Sequence, residues 1–193
     1  MKLRLLVLPI FAGIAAVSNA NLLSNGGFDT YTGSAFSGYA ALTTGNTDVT
    51  GWTVGMTSVD IVDSVYASIS LPYAIDLAGT PGPGSISQTV SAAAGFYQVS
   101  FQGWSNQSGS LATVVASFGA TQQSFLLTGT LQTYSFLAPA SGATTFTLAT
   151  TPTNTTNGNI FVDNASVQAV PEPTTIAALG LGALGFLKRR RKA

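Results

Sequence analysis

The chain has 193 residues, of which 46% are apolar and only 7% are charged, where an ordinary soluble domain carries about 25% charged residues. Its formal net charge of zero conceals a segregation, because every basic residue lies near an end and the stretch 5–187 contains no Lys, Arg or His. Nucleic acid needs a basic surface to neutralise its phosphates, so this composition excludes it as a partner and makes acidic polymers poor ligands.

The absence of His and Cys from the chain also removes most catalytic chemistry. Serine and cysteine nucleophiles paired with histidine, and imidazole-bound zinc, each need a residue that is missing. Carboxylates remain, and a glycosidase pair would need two of them about 5 to 9 Å apart. Asp60 and Asp63 are three positions apart in or near a strand, so their side chains tend to opposite faces. The sequence therefore predicts a protein that is not an enzyme.

The first twenty residues have the pattern of a secretory signal peptide. Lys2 and Arg4 precede an apolar stretch over 5–17, and small residues stand at the −3 and −1 positions of Ser18-Asn19-Ala20. A retained membrane helix is the alternative, but this stretch is shorter than the roughly 20 residues needed to span a bilayer. We expect cleavage after Ala20 and export of the chain.

The region 21–168 has the pattern of many short strands. Alternation is clearest in Tyr97-Gln98-Val99-Ser100-Phe101-Gln102, which places apolar side chains on one face and polar ones on the other. Turn residues such as Ala94-Gly95 and Pro139 to Gly142 separate the runs, and 31–51 is the longest irregular stretch. The predicted strands are 52–54, 58–62, 74–77, 85–90, 97–102, 111–118, 124–127, 133–137, 145–148 and 159–167. About ten short strands without an amphipathic helix predict an all-β domain, a jelly-roll β-sandwich.

The C-terminal segment 169–193 has three parts in order. Pro171-Glu172-Pro173 is followed by an apolar run over 176–187 and then by Lys188, Arg189, Arg190, Arg191 and Lys192. Twelve helical residues rise only about 18 Å against a hydrocarbon core of about 30 Å, so the run is a marginal permanent anchor, and the cations favour the cytoplasmic side. An ordinary tail anchor behind a proline-containing linker is the alternative.

The tail resembles the PEP-CTERM sorting signal of bacteria that make exopolysaccharide. That resemblance implies that Pro171, Glu172 and Pro173 are read by an exosortase at the inner membrane, that the tail serves as a short transmembrane helix with Lys188 to Lys192 as its basic stop, and that cleavage occurs near the motif. Two prolines also keep the segment extended, and they have no backbone N–H groups with which to join a β-sheet. Such a segment is suited to capture by an enzyme. The expected destination is the cell surface or an extracellular biofilm matrix.

The domain itself resembles the choice-of-anchor C type of secreted domain, which is related to galactose-binding-like carbohydrate modules. The resemblance is carried by an ordered set of segments: Asn21 to Asp29, Gly51-Trp52, Ser58 to Val62, Ala74 to Leu77, Gly84 to Thr89 and Val162 to Val167. Such relatives more often have Glu at the position of Asp29 and Asp at that of Asn164. The resemblance implies a structural Ca²⁺ held by Asp29 and Asp163, with Asn164 as a further ligand, since oxygen ligands suit this cation. Turn capping is the alternative role for both aspartates.

Exposed aromatic side chains that stack on sugar rings would form the ligand site, with amides to pair hydroxyl groups. Trp104 is the first candidate, because it continues the polar phase of Gln98, Ser100 and Gln102 and precedes Asn106. Tyr66, Tyr73 and Tyr39 follow it, whereas Trp52 is expected in the core. The sequence thus predicts carbohydrate binding, with exopolysaccharide as the expected ligand. The alternative is a structural or adhesive matrix protein without a specific small ligand, in which these aromatic side chains are packed.

Overall fold

The computed structural model of this protein describes residues 20–66, 72–106, 112–151 and 158–171, and residues Ala20–Val170 form one compact unit. Nine β-strands make up this unit, and the described residues contain no α-helix. The strands are β1 Tyr39–Thr43, β2 Thr53–Met56, β3 Ser58–Asp63, β4 Tyr73–Asp76, β5 Gly84–Ser105, β6 Thr113–Phe118, β7 Thr121–Leu126, β8 Gln132–Thr150 and β9 Ile160–Val170.

The two long strands β5 and β8 pair along most of their length and join two sheets. Their ladder changes register between Ala92 and Gly95 of β5, opposite the segment from Ala140 to Gly142 of β8. The prediction of turns at both places is wrong, because each strand continues through them. Gly142 has a φ of 74°, in the left-handed region that glycine adopts without steric cost, and an irregularity of this kind redirects a strand without ending it.

On one side of this register change lies the first sheet, in the order β2, β5, β8, β6 and β7. On the other side lies the second sheet, in the order β1, β3, β4, β9, β5 and β8. Every pairing is antiparallel. The first half of β5 and the second half of β8 belong to the first sheet, and their other halves belong to the second.

Rings from the two sheets pack against each other and form the core. Tyr97 of the second sheet meets Phe118 of the first at a centroid distance of 5.7 Å, and Phe101 meets Phe125 at 5.5 Å. Trp52 is 1% exposed and packs against Phe146 at 6.0 Å, so its expected core position is confirmed. The predicted all-β sandwich is confirmed as well.

The region 31–51 is less irregular than expected, because it contains the edge strand β1, which is not among the predicted strands. The pairing runs from Tyr39 opposite Val62 to Thr43 opposite Ser58. Only Leu42 of this strand is buried, and Tyr39-Ala40-Ala41-Leu42 does not alternate between apolar and polar residues. An edge strand of this kind is specified by its neighbour rather than by its own pattern.

The N-terminal segment from Asn21 to Phe28 runs beside β9. The amide of Leu22 donates to the carbonyl of Val167 at 2.9 Å, and the amide of Ala165 donates to that of Gly26 at 2.8 Å. A Cβ atom on Gly26 would lie 2.2 Å from the carbonyl oxygen of Ala165, so this close approach requires glycine. The segment delivers Asp29 to the middle of β9.

The signal-peptide prediction for 1–19 lies outside the described residues, as do Glu172, Pro173 and the apolar and basic parts of the tail, 176–187 and 188–192. Within the ranges that the structure covers, no helix has both the length and the apolar character needed to cross a membrane. Pro171 is described and is exposed, directly after the last strand.

Candidate functional site

Four aromatic residues lie in a row on the outer face of the second sheet, the face turned away from the first sheet. Trp104 stacks on Phe161 with centroids 4.5 Å apart and planes inclined by 21°, Tyr66 contacts Phe161 at 6.4 Å, and Tyr39 contacts Tyr66 at 5.3 Å. Tyr39 and Tyr66 are each 46% exposed. We call these four residues the aromatic strip.

The strip follows from the alternation of the strands. Tyr97, Val99 and Phe101 of β5 are buried against the first sheet, so the intervening residues and Trp104 face outward, as the sequence predicted. Register then places Trp104 opposite Phe161 of β9.

A small apolar cluster, to which Phe161 also belongs, lies under the exposed rings of the strip. Val62 of β3, Ala74 of β4 and Phe161 are buried together, and the partly buried indole of Trp104 packs on them. Trp104 is therefore packed on one side and exposed on the other, which is intermediate between the exposed ring of the binding prediction and the packed ring of its alternative. A ring held in this way offers an edge or face to a ligand at low cost in side-chain entropy.

Asn159, which was not among the predicted site residues, links the amide and hydroxyl groups beside the strip. Its backbone amide donates to Oδ1 of Asn106 at 2.7 Å, and Nδ2 of Asn106 donates to its Oδ1 at 3.3 Å. Its own Nδ2 donates to the phenolic oxygen of Tyr66 at 3.1 Å. The predicted residues Asn106 and Tyr66, far apart in sequence, are thus joined through Asn159, which comes directly before β9.

Asp63 holds the two exposed tyrosines in place. Its Oδ1 accepts the amides of Val65 and Tyr66 at 2.8 and 3.2 Å, and its Oδ2 accepts the amide of Gly38, next to Tyr39, at 2.9 Å. These backbone hydrogen bonds, that of Gly38 foremost, lower the pKa of the Asp63 carboxyl. An ionised carboxylate is therefore bonded to the backbone that carries the tyrosine end of the strip.

Tyr73 is the one predicted ligand residue that the structure separates from the strip. Its ring packs against Phe36 at 5.5 Å and Tyr31 at 6.2 Å, at the margin of the main core. The reason is again alternation: Ala74, the next residue of β4, lies in the cluster beneath the strip, so Tyr73 faces the other way.

The two aspartates predicted to bind a cation do come together, at the edge where the N-terminal segment meets β9. A Cβ atom on Gly27 would lie 3.0 Å from Oδ2 of Asp29 and 3.6 Å from Oδ1 of Asn164. Asp163 is 5% exposed, and its Oδ1 accepts the amide of Asn164 at 2.6 Å. Burial, together with the nearby charge of Asp29, raises the pKa of Asp163 to about 7.

Two backbone irregularities build this edge. Strand β9 has an extra residue opposite the step from Ser100 to Gln102 of β5, and Asn164 has a φ of 48°. Phe28 also has a positive φ, 58°, and its fully buried ring packs on Trp52 at 5.0 Å. Packing thus holds a strained turn that presents Asp29 beside the bulge. Nδ2 of Asn164 donates to Oε1 of Gln102 at 2.9 Å.

A second carboxylate pair, Asp60 and Asp76, was not predicted because it depends on the register of β3 with β4. The two residues are directly opposite each other, 4% and 2% exposed. Asp60 accepts the amide and hydroxyl of Thr80, and Asp76 accepts the amides of Ala78 and Ile160. Burial raises both pKa values, that of Asp76 to about 6, with the charge of Asp60 contributing.

Each of these two sites contains two carboxylates and, in the part of the chain that the structure describes, no third acidic side chain. Within the described residues, no three His, Cys, Asp or Glu side chains lie close enough to hold a metal ion. A cation at the Asp29 edge would accordingly need amide and backbone oxygens besides its two carboxylates, and Ca²⁺ accepts such mixed sets. The donor chemistry at this edge therefore fits Ca²⁺, with Asn164 as the available amide oxygen.

Residues 169–192 match the family model described as the PEP-CTERM protein-sorting motif. The chain therefore carries the sorting signal of an exported protein at its C-terminus. No curated protein matches the chain in sequence.

Several solved carbohydrate-binding modules resemble the sandwich. TmCBM61, solved in complex with β-1,4-galactotriose, is 18% identical with a TM-score of 0.43, and the match covers 78% of this chain and 99% of that one. CBM35 from Paenibacillus barcinonensis is 16% identical with a TM-score of 0.44, and a family 35 module from Clostridium thermocellum is 15% identical with a TM-score of 0.42. Each of the latter two matches covers 68% of this chain and 99% of the other. At these identities we take no ligand from them.

Proposed function

We propose that this protein is an exported, non-catalytic carbohydrate-binding protein of the cell surface or matrix, which holds exopolysaccharide on its aromatic strip and is sorted by its C-terminal signal through an exosortase. The observation that carries the proposal is the strip itself. Three of its rings come from distant parts of the chain, Tyr39, Tyr66 and Trp104, and all lie on one sheet face beside linked amides.

The chemistry of the strip suits a sugar chain. Aromatic rings offer apolar faces to the C–H groups of a pyranose, while a few fixed polar groups orient it. Asn106 and Asn159 supply such groups at the Trp104 end, and the phenol of Tyr66 supplies another. A row of rings on a flat sheet favours an extended polymer over a small enclosed ligand.

The described carboxylates support the non-catalytic part of the proposal. Asp60 and Asp76 form the closest pair by register, but both are buried and engaged by backbone amides. A general acid and its partner must both reach the substrate. Asp60 and Asp76 are buried beneath the segment that carries Ala78 and Thr80, so they cannot reach a substrate.

We include a structural Ca²⁺ in the proposal, held by Asp29 and Asp163 with Asn164. The support is the repulsion between two carboxylates brought to one edge without a basic partner in the stretch 5–187. A divalent cation would relieve this repulsion and fix the strained Phe28 turn. Its contribution would be to stability, because binding to the native state alone raises the free energy of unfolding.

One observation favours the alternative of an adhesive matrix protein without a specific ligand. A row of uncharged polar side chains crosses all five strands of the first sheet on one face: Thr53, Ser87, Thr147, Ser117 and Gln122. A flat face of hydroxyl groups can adhere to many hydrated surfaces through weak, repeated hydrogen bonds. This alternative does not use the aromatic strip.

A glycan-array measurement separates the two. The exported protein is compared with Trp104→Ala and with the matched control Phe96→Ala, which removes a 56% exposed ring near the middle of the same strand. We expect saturable binding that is lost in Trp104→Ala and kept in Phe96→Ala, with both variants folded by circular dichroism. Binding to no glycan, or equal binding by all three proteins, would overturn the proposal and favour the adhesive role.

A further inference from the structure

The strip has an unusual electrostatic setting for a polymer-binding surface. Nothing in the stretch 5–187 carries a positive charge, since it lacks Lys, Arg and His. Every full charge near the strip is therefore a carboxylate. A negative ligand would meet repulsion there without compensation, and a positive one would meet attraction from every side.

Asp63 places one of these charges where a ligand on the tyrosines would meet it. It accepts the amides of Tyr66 and of Gly38, the neighbour of Tyr39, so its charge lies next to the backbone that carries both exposed rings. Backbone hydrogen bonds lower its pKa, which keeps it ionised in mildly acidic as well as neutral solution. Tyr39 and Tyr66, 5.3 Å apart, also form an open pair of ring faces.

Ring faces and a fixed carboxylate are the two features that attract an ammonium group. The negative face of an aromatic ring attracts a cation within about 6 Å of its centroid, and the carboxylate adds a Coulomb term that salt screens. Here both features come from the same turn, because Asp63 and Tyr66 are three residues apart.

We infer that the aromatic strip selects glycans that carry free amino groups, such as a partly or fully deacetylated amino-sugar polymer, over neutral glycans, and rejects polyuronates. The inference rests on the proposed function and adds to it the class of sugar. Selection occurs at the Tyr39–Tyr66 end, where the protonated amine lies over a ring and is attracted by the carboxylate bonded to the backbone of that end. The Trp104 end stacks a sugar ring regardless of charge.

The test uses four soluble hexasaccharides with the same β-1,4 backbone: glucosamine, N-acetylglucosamine, glucose and glucuronic acid. The exported protein is titrated with each by calorimetry at mildly acidic pH, where the sugar amine is protonated and Asp63 is ionised. We expect the glucosamine hexamer to bind about fivefold or more tightly than the two neutral hexamers, and the glucuronate hexamer not to bind. Added salt should weaken glucosamine binding and leave neutral binding unchanged.

Asp63→Asn removes the charge and keeps one amide acceptor, and Asp48→Asn changes the net charge equally at a residue whose carboxylate contacts Asn46 and not the strip. The ratio of glucosamine to neutral affinity should fall to about one in Asp63→Asn, whatever affinity all the hexamers lose together, and should persist in Asp48→Asn. If Asp63→Asn fails to fold, the salt dependence of the wild-type protein decides whether the inference stands, since only glucosamine binding should weaken with salt. Equal or weaker binding of the glucosamine hexamer, or any binding of the glucuronate hexamer, overturns the inference while the proposed function stands. Failure of all four to bind, with no binding on the glycan array, removes both.

Discussion

The indole of Trp104 and the ring of Phe161 stack across the β5–β9 ladder, 4.5 Å apart and nearly parallel. Phe161 is 5% exposed and Trp104 is partly exposed, so the pair connects a buried cluster to the protein surface. This arrangement makes Trp104 a rigid ring with one side fixed. The two tryptophans of the chain therefore have different environments: Trp52 is buried and stabilises the sandwich, and Trp104 is partly exposed on the outer face of the second sheet.

The first prediction follows from this difference. Trp52→Ala should lower the free energy of unfolding by about 3–5 kcal/mol, because it empties a site between Phe28 and Phe146. Trp104→Ala should cost only about 1–2 kcal/mol, since its indole is partly exposed. Urea unfolding of both variants measures the contrast. Equal losses would contradict the assignment of Trp104 to the surface.

The second prediction concerns pH. An unfolded aspartate titrates near 4, whereas burial and Asp29 raise the pKa of Asp163 to about 7 in the native state. Between these values the native protein binds more protons than the unfolded one, so stability falls as the pH rises from about 4 to about 7. Asp76, with a pKa of about 6, acts in the same direction.

Melting temperatures measured with a chelator across this range should show that fall. Asp163→Asn should lessen the fall and melt higher than the wild-type protein at pH 8, because it removes a buried charge without removing the acceptor for the Asn164 amide. Asp48→Asn is the matched control and should keep the wild-type slope. A wild-type stability that rises steadily with pH would show that Asp163 does not carry a raised pKa.

The third prediction concerns Ca²⁺. At pH 8, a concentration one hundred times the dissociation constant should raise the free energy of unfolding by about 2.7 kcal/mol. Asp29→Asn and Asp163→Asn should each lose most of this gain. Differential scanning calorimetry with Ca²⁺ and with a chelator checks it. Identical wild-type melting curves under the two conditions would remove Ca²⁺ from the account.

The fourth prediction concerns sorting. The tail 169–192 matches the sorting motif, and we expect the exported form to have lost the basic residues 188–192 by cleavage near Pro171. Intact-mass spectrometry of the extracellular and envelope fractions measures the C-terminus. Glu172→Ala should leave the uncleaved chain in the membrane fraction. An extracellular wild-type protein that still ends in the basic run would contradict exosortase processing.

Local patterns in the sequence predicted local properties well. The alternation from Tyr97 to Gln102 continued to Trp104 and predicted its outward direction, and the small apolar strand around Trp52 predicted its burial. The last strand was expected over 159–167 and is found over Ile160–Val170. Such features depend on each strand's own residues.

Features that depend on register were not predictable from the residue pattern alone. Asn159 links Tyr66 to Asn106 only because β5, β9 and the turn after β3 meet there. The strip's fourth ring, Phe161, is an ordinary apolar strand residue in the sequence. Tyr73 was assigned to the site on residue type alone, and its face depends on the direction of β4. Ala94-Gly95, interpreted as a turn, lies within a strand that continues.

The most direct test of sugar binding on the strip is fluorine NMR of the exported protein labelled with 5-fluorotryptophan. The chain has two tryptophans, so the spectrum should contain one resonance from Trp52 and one from Trp104, assigned with Trp104→Phe. Titration with a glycan that binds on the array should shift the Trp104 resonance saturably and leave that of the buried Trp52 in place. A titration in which the glycan binds but the Trp104 resonance does not move would contradict the strip as the binding surface.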